Sequence, residues 1–299
     1  MPRLRPDERK HRALYTVLVA ESETPEHRAD RRERAGRSSG ESYIATLEQM
    51  EPGIVAERIA PADEDSPIYT PEQIAAYDGV FLTGSPLHVY EDSPPVRRQI
   101  AFMRAVFASG VPSFGSCAGL QVAVAAAGGT VRPIPKRLEA GIARRIASTM
   151  AGRDHPLLAG RPACWDAPAI HGDEVESLPK GALLLASNGV SAVQAAEIRH
   201  DGGLFWGVQY HPELSPEEIA SALRGQADDL VEQGLALDEA AVERHADLLA
   251  ALQDDPDSPA LRWHLGVDGE FADMACRRRE LRNFLDTLVA ARHAQRQQG

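Results

Sequence analysis

The chain has 299 residues, 43% hydrophobic, 25% charged and 5% aromatic, the composition of a globular protein long enough to bury a substantial core. Its net charge of −12 argues against nucleic acid as a main partner, since phosphate binding needs a cationic surface, and no apolar run approaches the roughly 20 residues that cross a bilayer. Cys117, Cys164 and Cys276 show no CxxC spacing, which suits reduced thiols and a cytoplasmic location better than a disulfide framework or a zinc site.

The opening "MPRLRPDERKHRALYTVLVAES" sets a basic stretch before about seven apolar residues. No small-x-small cleavage site follows, so it reads as a segment feeding a first buried strand rather than as a secretory signal. "LYTVLVA" (14–20) is that strand. The basic cluster "HRADRRERAGR" (27–37) reads as a solvated loop, "SYIATLEQM" (42–50) as a helix and "GIVAERIA" (53–60) as a second strand. "TPEQIAAYD" (70–78) opens with Thr70 as N-cap and Pro71 at the first helical position, a helix start. "GVFLTGS" is then a strand, "PPVRRQIAFMRAVFASG" a helix ending at Gly110, and "VPSFGS" a strand. Strand and helix in repetition imply right-handed crossovers and a parallel sheet covered on both faces.

From Thr130 to Tyr210 short strand-like pieces, "TVRPI", "GIARRIAST", "WDAPAI", "ALLLASN", "AVQAAEIR" and "LFWGVQY", are separated by turn signals such as "HGDE" and "SNGV", which predicts a mixed or antiparallel edge. The chain then becomes helical. "SPEEIASALRGQADDLVEQG" carries a capping signature and an apolar face, "DEAAVERHADLLAAL" follows, and a last helix runs from about Phe271 to His293. Residues 213–260 hold 13 acidic and 2 basic side chains, read as a solvated face.

Chemistry concentrates at "GSCAG", Gly115–Gly119, where a cysteine follows a strand and opens a helix. This is the setting of a nucleophile elbow: flanking glycines permit the tight turn, and the helix N-terminus favours the thiolate. Ala118 offers its backbone N–H to a developing oxyanion. "LTGSP" (82–86) also ends a strand, and the amides of Gly84 and Ser85 are candidates for a second donor. His211, in "WGVQYHPEL", stands at the end of an apolar strand, and with Pro212 holding the backbone extended, Glu213 faces the same way and accepts a hydrogen bond from it. Cys117, His211 and Glu213 thus make a nucleophile, base and orienting acid. His200 with Asp201, and His171 with Asp173, lack a third convergent ligand, so no metal is expected.

These residues resemble the class I glutamine amidotransferases, especially proteins similar to the amidotransferase domain of GMP synthetase. "GSCAGLQ" resembles the family's G-x-C-x-G-x-Q elbow and "GVQYHPE" its histidine-glutamate motif, with the match running from about Leu14 to Leu214. The resemblance implies a flavodoxin-like three-layer α/β sandwich with a mostly parallel central sheet and no cofactor. It implies that Cys117 attacks the γ-carboxamide of glutamine, that His211 protonates the departing ammonia and then activates water, and that Glu213 orients His211. Gln121 matches the glutamine that contacts the substrate's amino-acid end. "IHGDEVESLP" resembles the pocket-lining segment, which makes His171 and Gly172 substrate-binding candidates, although His171 reads equally well as a turn histidine.

The domain division expected is an amidotransferase-like unit over 1–214, an acidic helical insertion over 215–270 and a terminal helix over 271–299 packing back on the α/β unit. The insertion is expected to cover the active site, to dimerise or to dock a partner. The chain carries no G-x-x-x-x-G-K-[ST] loop and no "SGGVDS" segment, so the first expectation is a glutaminase whose ammonia passes to a separate synthase subunit. The second is a free-standing hydrolase of γ-glutamyl amides or peptides, and the third, of another class, a catalytically idle binding subunit.

Overall fold

The computed structural model describes residues 15–135 and 137–298, so the segment expected to precede the first strand lies outside the described residues. In chain order the first half runs β1 (Thr16–Ala20), α1 (Pro25–Ala35), α2 (Ser39–Met50), β2 (Val55–Ile59), α3 (Pro71–Ile74), β3 (Gly79–Leu82), α4 (Pro94–Ser109), β4 (Ser113–Ser116) and α5 (Ala118–Ala126). The second runs β5 (Thr130–Pro133), β6 (Glu139–Ser148), α6 (Met150–Arg153), β7 (Cys164–His171), β8 (Asp173–Ser177), β9 (Leu183–Ser187), β10 (Ala195–His200) and β11 (Gly203–Val208). Helices α7 (Pro216–Arg224), α8 (Ala227–Glu232), α9 (Glu239–Asp254) and α10 (Pro259–Leu265) follow. The chain closes with α11 (Gly269–Ala272), α12 (Met274–Arg277), α13 (Arg279–Phe284), a π-helical turn over Leu285–Val289 and α14 (Ala290–Arg296).

Nine strands form one sheet in the order β2-β1-β3-β4-β11-β10-β9-β6-β7. The β2-β1-β3-β4-β11 half is parallel, and β10, β9, β6 and β7 continue it antiparallel. Alternate side chains of each parallel strand enter different cores: Val17 and Val19 join one cluster and Leu18 and Ala20 the other, and Phe81 lies opposite Val80 and Leu82. Both faces are therefore buried, the three-layer arrangement that crossover helices impose. On one face Phe284 of α13 packs against Phe81, Phe114 and Trp206 at ring separations of 5.2, 5.6 and 6.1 Å. A third cluster gathers Ile142 of β6 with Leu214, Ile219, Leu223, Leu230, Val242 and Leu249, so the acidic helices carry an apolar inner side.

Four expectations change. The basic stretch 27–37 is helical over most of its length, not a loop: α1 has Thr24 as N-cap, Pro25 in its first turn and Gly36 as a left-handed C-cap. The "HGDE" turn signal is a one-residue break at Gly172, after which β8 pairs antiparallel with β5. The helix expected over 70–78 stops after one turn at Ile74, although its capping box between Thr70 and Gln73 forms. The "SPEEIASALRGQADDLVEQG" segment likewise divides at Gly225 into α7 and α8.

Candidate active site

Three adjacent parallel strands, β3, β4 and β11, end side by side, and chemistry in such sheets collects beyond their C-terminal ends. Gly84 follows β3, Cys117 follows β4 and His211 follows β11. Cys117 adopts φ 53° and ψ −111°, a left-handed conformation that costs a non-glycine residue on the order of 1–3 kcal/mol. It is held there by its N–H, which donates to Val208 O at 2.9 Å, and by its carbonyl, which accepts from Gln121 N at 3.1 Å. The flanking glycines are required by close approach: a Cβ on Gly115 would lie 2.7 Å from Gly119 C, and one on Gly119 would lie 2.6 Å from Leu82 O. Ala118 begins α5 immediately after the cysteine.

His211 and Glu213 are 6% and 4% exposed, and Nδ1 of His211 lies 2.7 Å from Oε1 of Glu213. The pairing comes from a turn rather than the extended backbone expected, because Leu214 N donates back to His211 O at 3.3 Å. The segment is pinned from both sides, with His211 N donating to Pro168 O at 2.8 Å and Thr46 Oγ1 to Glu213 O at 3.3 Å. Burial pushes the imidazole pKa down, but the Glu213 carboxylate and then the Cys117 sulfur more than offset this and hold it up at about 10. Gly84 gives the ring its room: a Cβ there would lie 2.6 Å from His211 Cε1.

Sequence reasoning missed the other side chain on Glu213. Ser116 Oγ donates to Glu213 Oε2 at 2.8 Å, and the hydroxyl of Tyr43, wholly buried, lies 3.4 Å from Ser116 Oγ. Ser116 is the residue before the cysteine, and only the tertiary fold shows what its hydroxyl meets.

Gly84, Ser85, Cys117, His211 and Glu213 all line one cleft of about 170 Å³. The rest of its lining comes from α1 and the preceding Glu23, from Ser39 at the start of α2, from Pro86, Ile170 and Leu214, and from α7 with Gln226 beyond it. Gln121, His171 and Gly172 lie outside that lining. Gln121 Nε2 donates to Asp173 O and to Gln209 Oε1, both at 3.2 Å. His171 has Nδ1 2.9 Å from Asp173 O and Nε2 3.0 Å from Glu139 Oε2, and Gly172 passes so close to Leu138 that a Cβ would lie 2.8 Å from its Cδ2. Among the described residues, no three His, Cys, Asp or Glu side chains are grouped so as to hold a metal ion, and no helix is long and apolar enough to cross a membrane.

Residues 51–226 match the family described as glutamine amidotransferase class-I. The chain belongs to that family. It is 40% identical over 223 residues to a γ-glutamyl-L-1-hydroxyisopropylamide hydrolase of a Pseudomonas species, covering 73% of this chain and 74% of that enzyme. It is 34% identical over 181 residues to the glutamine-hydrolysing GMP synthase of Porphyromonas gingivalis, of which the match covers only about a third, 34%. Among solved structures a glutamine amidotransferase of Thermotoga maritima superposes with a TM-score of 0.63, at 14% identity, over 92% of this chain and 98% of that one. That likeness is in fold, and it bears out the flavodoxin-like α/β architecture.

Proposed function

We propose that this protein is a free-standing hydrolase of γ-glutamyl amides that works through a γ-glutamyl thioester on Cys117. The observation that carries the choice is the reach of the likeness to the γ-glutamyl amide hydrolase, which runs through about three-quarters of both chains. The likeness to GMP synthase is confined to about a third of the synthase. This favours the second expectation over the first, in which ammonia passes to a separate synthase subunit.

In the proposed mechanism the Cys117 thiolate attacks the γ-carbonyl carbon, and the carbonyl electron pair moves onto oxygen. The oxyanion is met by the backbone N–H of Ala118 and by an amide of the Gly84–Ser85 loop. As the tetrahedral intermediate collapses, the carbon–nitrogen bond breaks and the departing nitrogen takes the proton carried by His211, leaving as a neutral amine. His211 then removes a proton from water, the hydroxide attacks the thioester, and the carbon–sulfur bond breaks to release glutamate and restore the thiolate. Glu213 holds the imidazole in place throughout. Gln121, His171 and Gly172, which lie outside the cleft lining, support the pocket from behind in this reading and touch no substrate. We further propose that residues 1–214 form the catalytic unit, that the 215–270 insertion walls its cleft, and that 271–299 clamp the assembly.

Glutamate release from glutamine and from a panel of γ-glutamyl alkylamides tests this. The hydrolase reading predicts that an alkylamide is turned over faster than glutamine and that Cys117→Ala abolishes both activities. Turnover of glutamine alone would select the synthase-linked reading, and equal rates for wild type and Cys117→Ala would refute both.

A further inference from the structure

The loop after β3 is held by a relay of hydroxyl groups that the mechanism leaves unused. Thr83 is 1% exposed, and its backbone is fixed by its N–H, which donates to Ala20 O at 3.1 Å. Its hydroxyl stands at the centre of three contacts: Oγ1 accepts from Ser22 N at 3.0 Å, lies 3.1 Å from Ser39 Oγ, and donates to Gly84 O at 3.0 Å. A hydroxyl has one proton to give, and a carbonyl oxygen can only accept. The Thr83 proton is therefore committed to Gly84 O, and Ser39, whose own N–H is capped by Glu23 Oε2 at 3.1 Å, supplies the remaining proton to Oγ1. The relay thus joins the start of α2 and the loop after β1 to a single carbonyl group.

The direction of that carbonyl decides where the next N–H points. A trans peptide is planar, with its C=O and N–H on opposite edges, so tethering Gly84 O to the buried Thr83 hydroxyl turns the Ser85 N–H away from the relay. That N–H donates to no group among the described residues. Gly84 and Ser85 line the cleft beside Cys117 and His211, and a Cβ on Gly84 would lie 2.6 Å from His211 Cε1, so this peptide borders the reacting groups. The helix that begins with Ala118 abuts the same loop, because Gly119 packs against Leu82 O. Donors from the two elements are thereby brought to one place. Resting on the thioester mechanism proposed above, we infer that Thr83 is a positioning residue whose hydroxyl fixes the Gly84–Ser85 peptide so that the Ser85 N–H, and not that of Gly84, is the second donor to the oxyanion. Without that hydroxyl no group among the described residues holds Gly84 O, and the freedom of glycine lets the peptide turn its carbonyl edge toward the cleft, where it repels the developing charge.

The test compares wild type, Thr83→Val, Thr83→Ala and Thr83→Ser in steady-state turnover and in alkylation by iodoacetamide, read on the Cys117 peptide by mass spectrometry. Alkylation needs the thiolate but develops no oxyanion, so it separates loss of the oxyanion donor from damage to the elbow or to His211. Thr83→Val and Thr83→Ala are expected to lower kcat about 10- to 100-fold with KM little changed, since the donor acts in the transition state alone. Their alkylation rates are expected to stay within about twofold of wild type, and Thr83→Ser, which keeps the hydroxyl, to retain kcat within about threefold. Wild-type kcat in Thr83→Val, a joint fall of kcat and alkylation, or a Thr83→Ser variant as slow as Thr83→Val each overturns the inference. Thr83→Ala decides the matter if Thr83→Val does not fold. The comparison uses whichever amide wild type turns over, glutamine included, so failure of the hydrolase reading in favour of the synthase-linked one leaves the inference to stand or fall on its own result, whereas equal turnover by wild type and Cys117→Ala overturns both.

Discussion

One carboxylate, Glu213, serves two side chains at once, Nδ1 of His211 on Oε1 and the Ser116 hydroxyl on Oε2. Because a carboxylate held at both oxygens cannot rotate, the imidazole inherits a fixed aim. Ser116→Ala removes one anchor and leaves the fold otherwise intact, so it is expected to lower kcat about tenfold with KM little changed; steady-state kinetics reads this, and a change confined to KM would contradict it. The pH dependence follows from the same contacts. With its pKa raised from 6.5 to about 10, His211 stabilises the fold fully below its unfolded value, and that contribution fades as pH rises toward 10. Glu213→Gln removes the strongest upward push while burial continues to push down, so the imidazole of the variant titrates well below that of the wild type by NMR, and an unchanged midpoint would contradict the assignment. The cysteine elbow was legible in the sequence because close approach in a tight turn fixes its glycines, and "HPE" because its residues stand together after an apolar strand, although the turn that pairs them was read as extended backbone. Ser116 was not, because the carboxylate its hydroxyl meets, Glu213, is far away in the chain.

Among the elements, α5 is held against the sheet by contacts that leave no room for a side chain. Alanine at an exposed helical glycine ordinarily stabilises by about 1 kcal/mol. At Gly119 the sign reverses, because a Cβ 2.6 Å from Leu82 O must push α5 away from β3. Gly119→Ala is expected to lose about 1–3 kcal/mol of stability in denaturant melts and to lower kcat as the elbow shifts; a stabilised variant would contradict the packing described. The same scale explains where sequence reading of elements failed. Helix α1 has no buried residue, hence no apolar stripe to announce it, although Thr24, Pro25 and Gly36 carried its boundaries. Strand β8 hid behind Gly172 and its acidic residues, whose ladder with β5 is a long-range pairing.

At the scale of the molecule, the acidic helices after His211 turn their charge outward and their leucines toward β6. Leu249 is wholly buried in that third core, with Leu223 of α7, and α7 in turn supplies Glu218, Ser221 and Ala222 to the cleft wall. Ion pairs between these helices, such as Arg224 with Glu243 at 2.8 Å, are surface contacts worth little, so the wall is held by its apolar side. Leu249→Ala is therefore expected to cost about 2–5 kcal/mol and to raise KM by loosening α7, measured by denaturant midpoint and steady-state kinetics; unchanged values of both would show the insertion to be independent of the site. The clamp at the other end is a buried network in which Glu280 of α13 receives Arg161 at 2.7 Å and the Tyr210 hydroxyl at 2.8 Å, tying the terminal helices to the residue next to His211.

Acid quenching during turnover of a γ-glutamyl amide, followed by intact-protein and peptide mass spectrometry, tests the central claim most directly. The account predicts a transient adduct with the mass of one glutamyl acyl group on the peptide that contains Cys117, absent from Cys117→Ala. The same adduct on Cys164 or Cys276, or full turnover by Cys117→Ala, would contradict it.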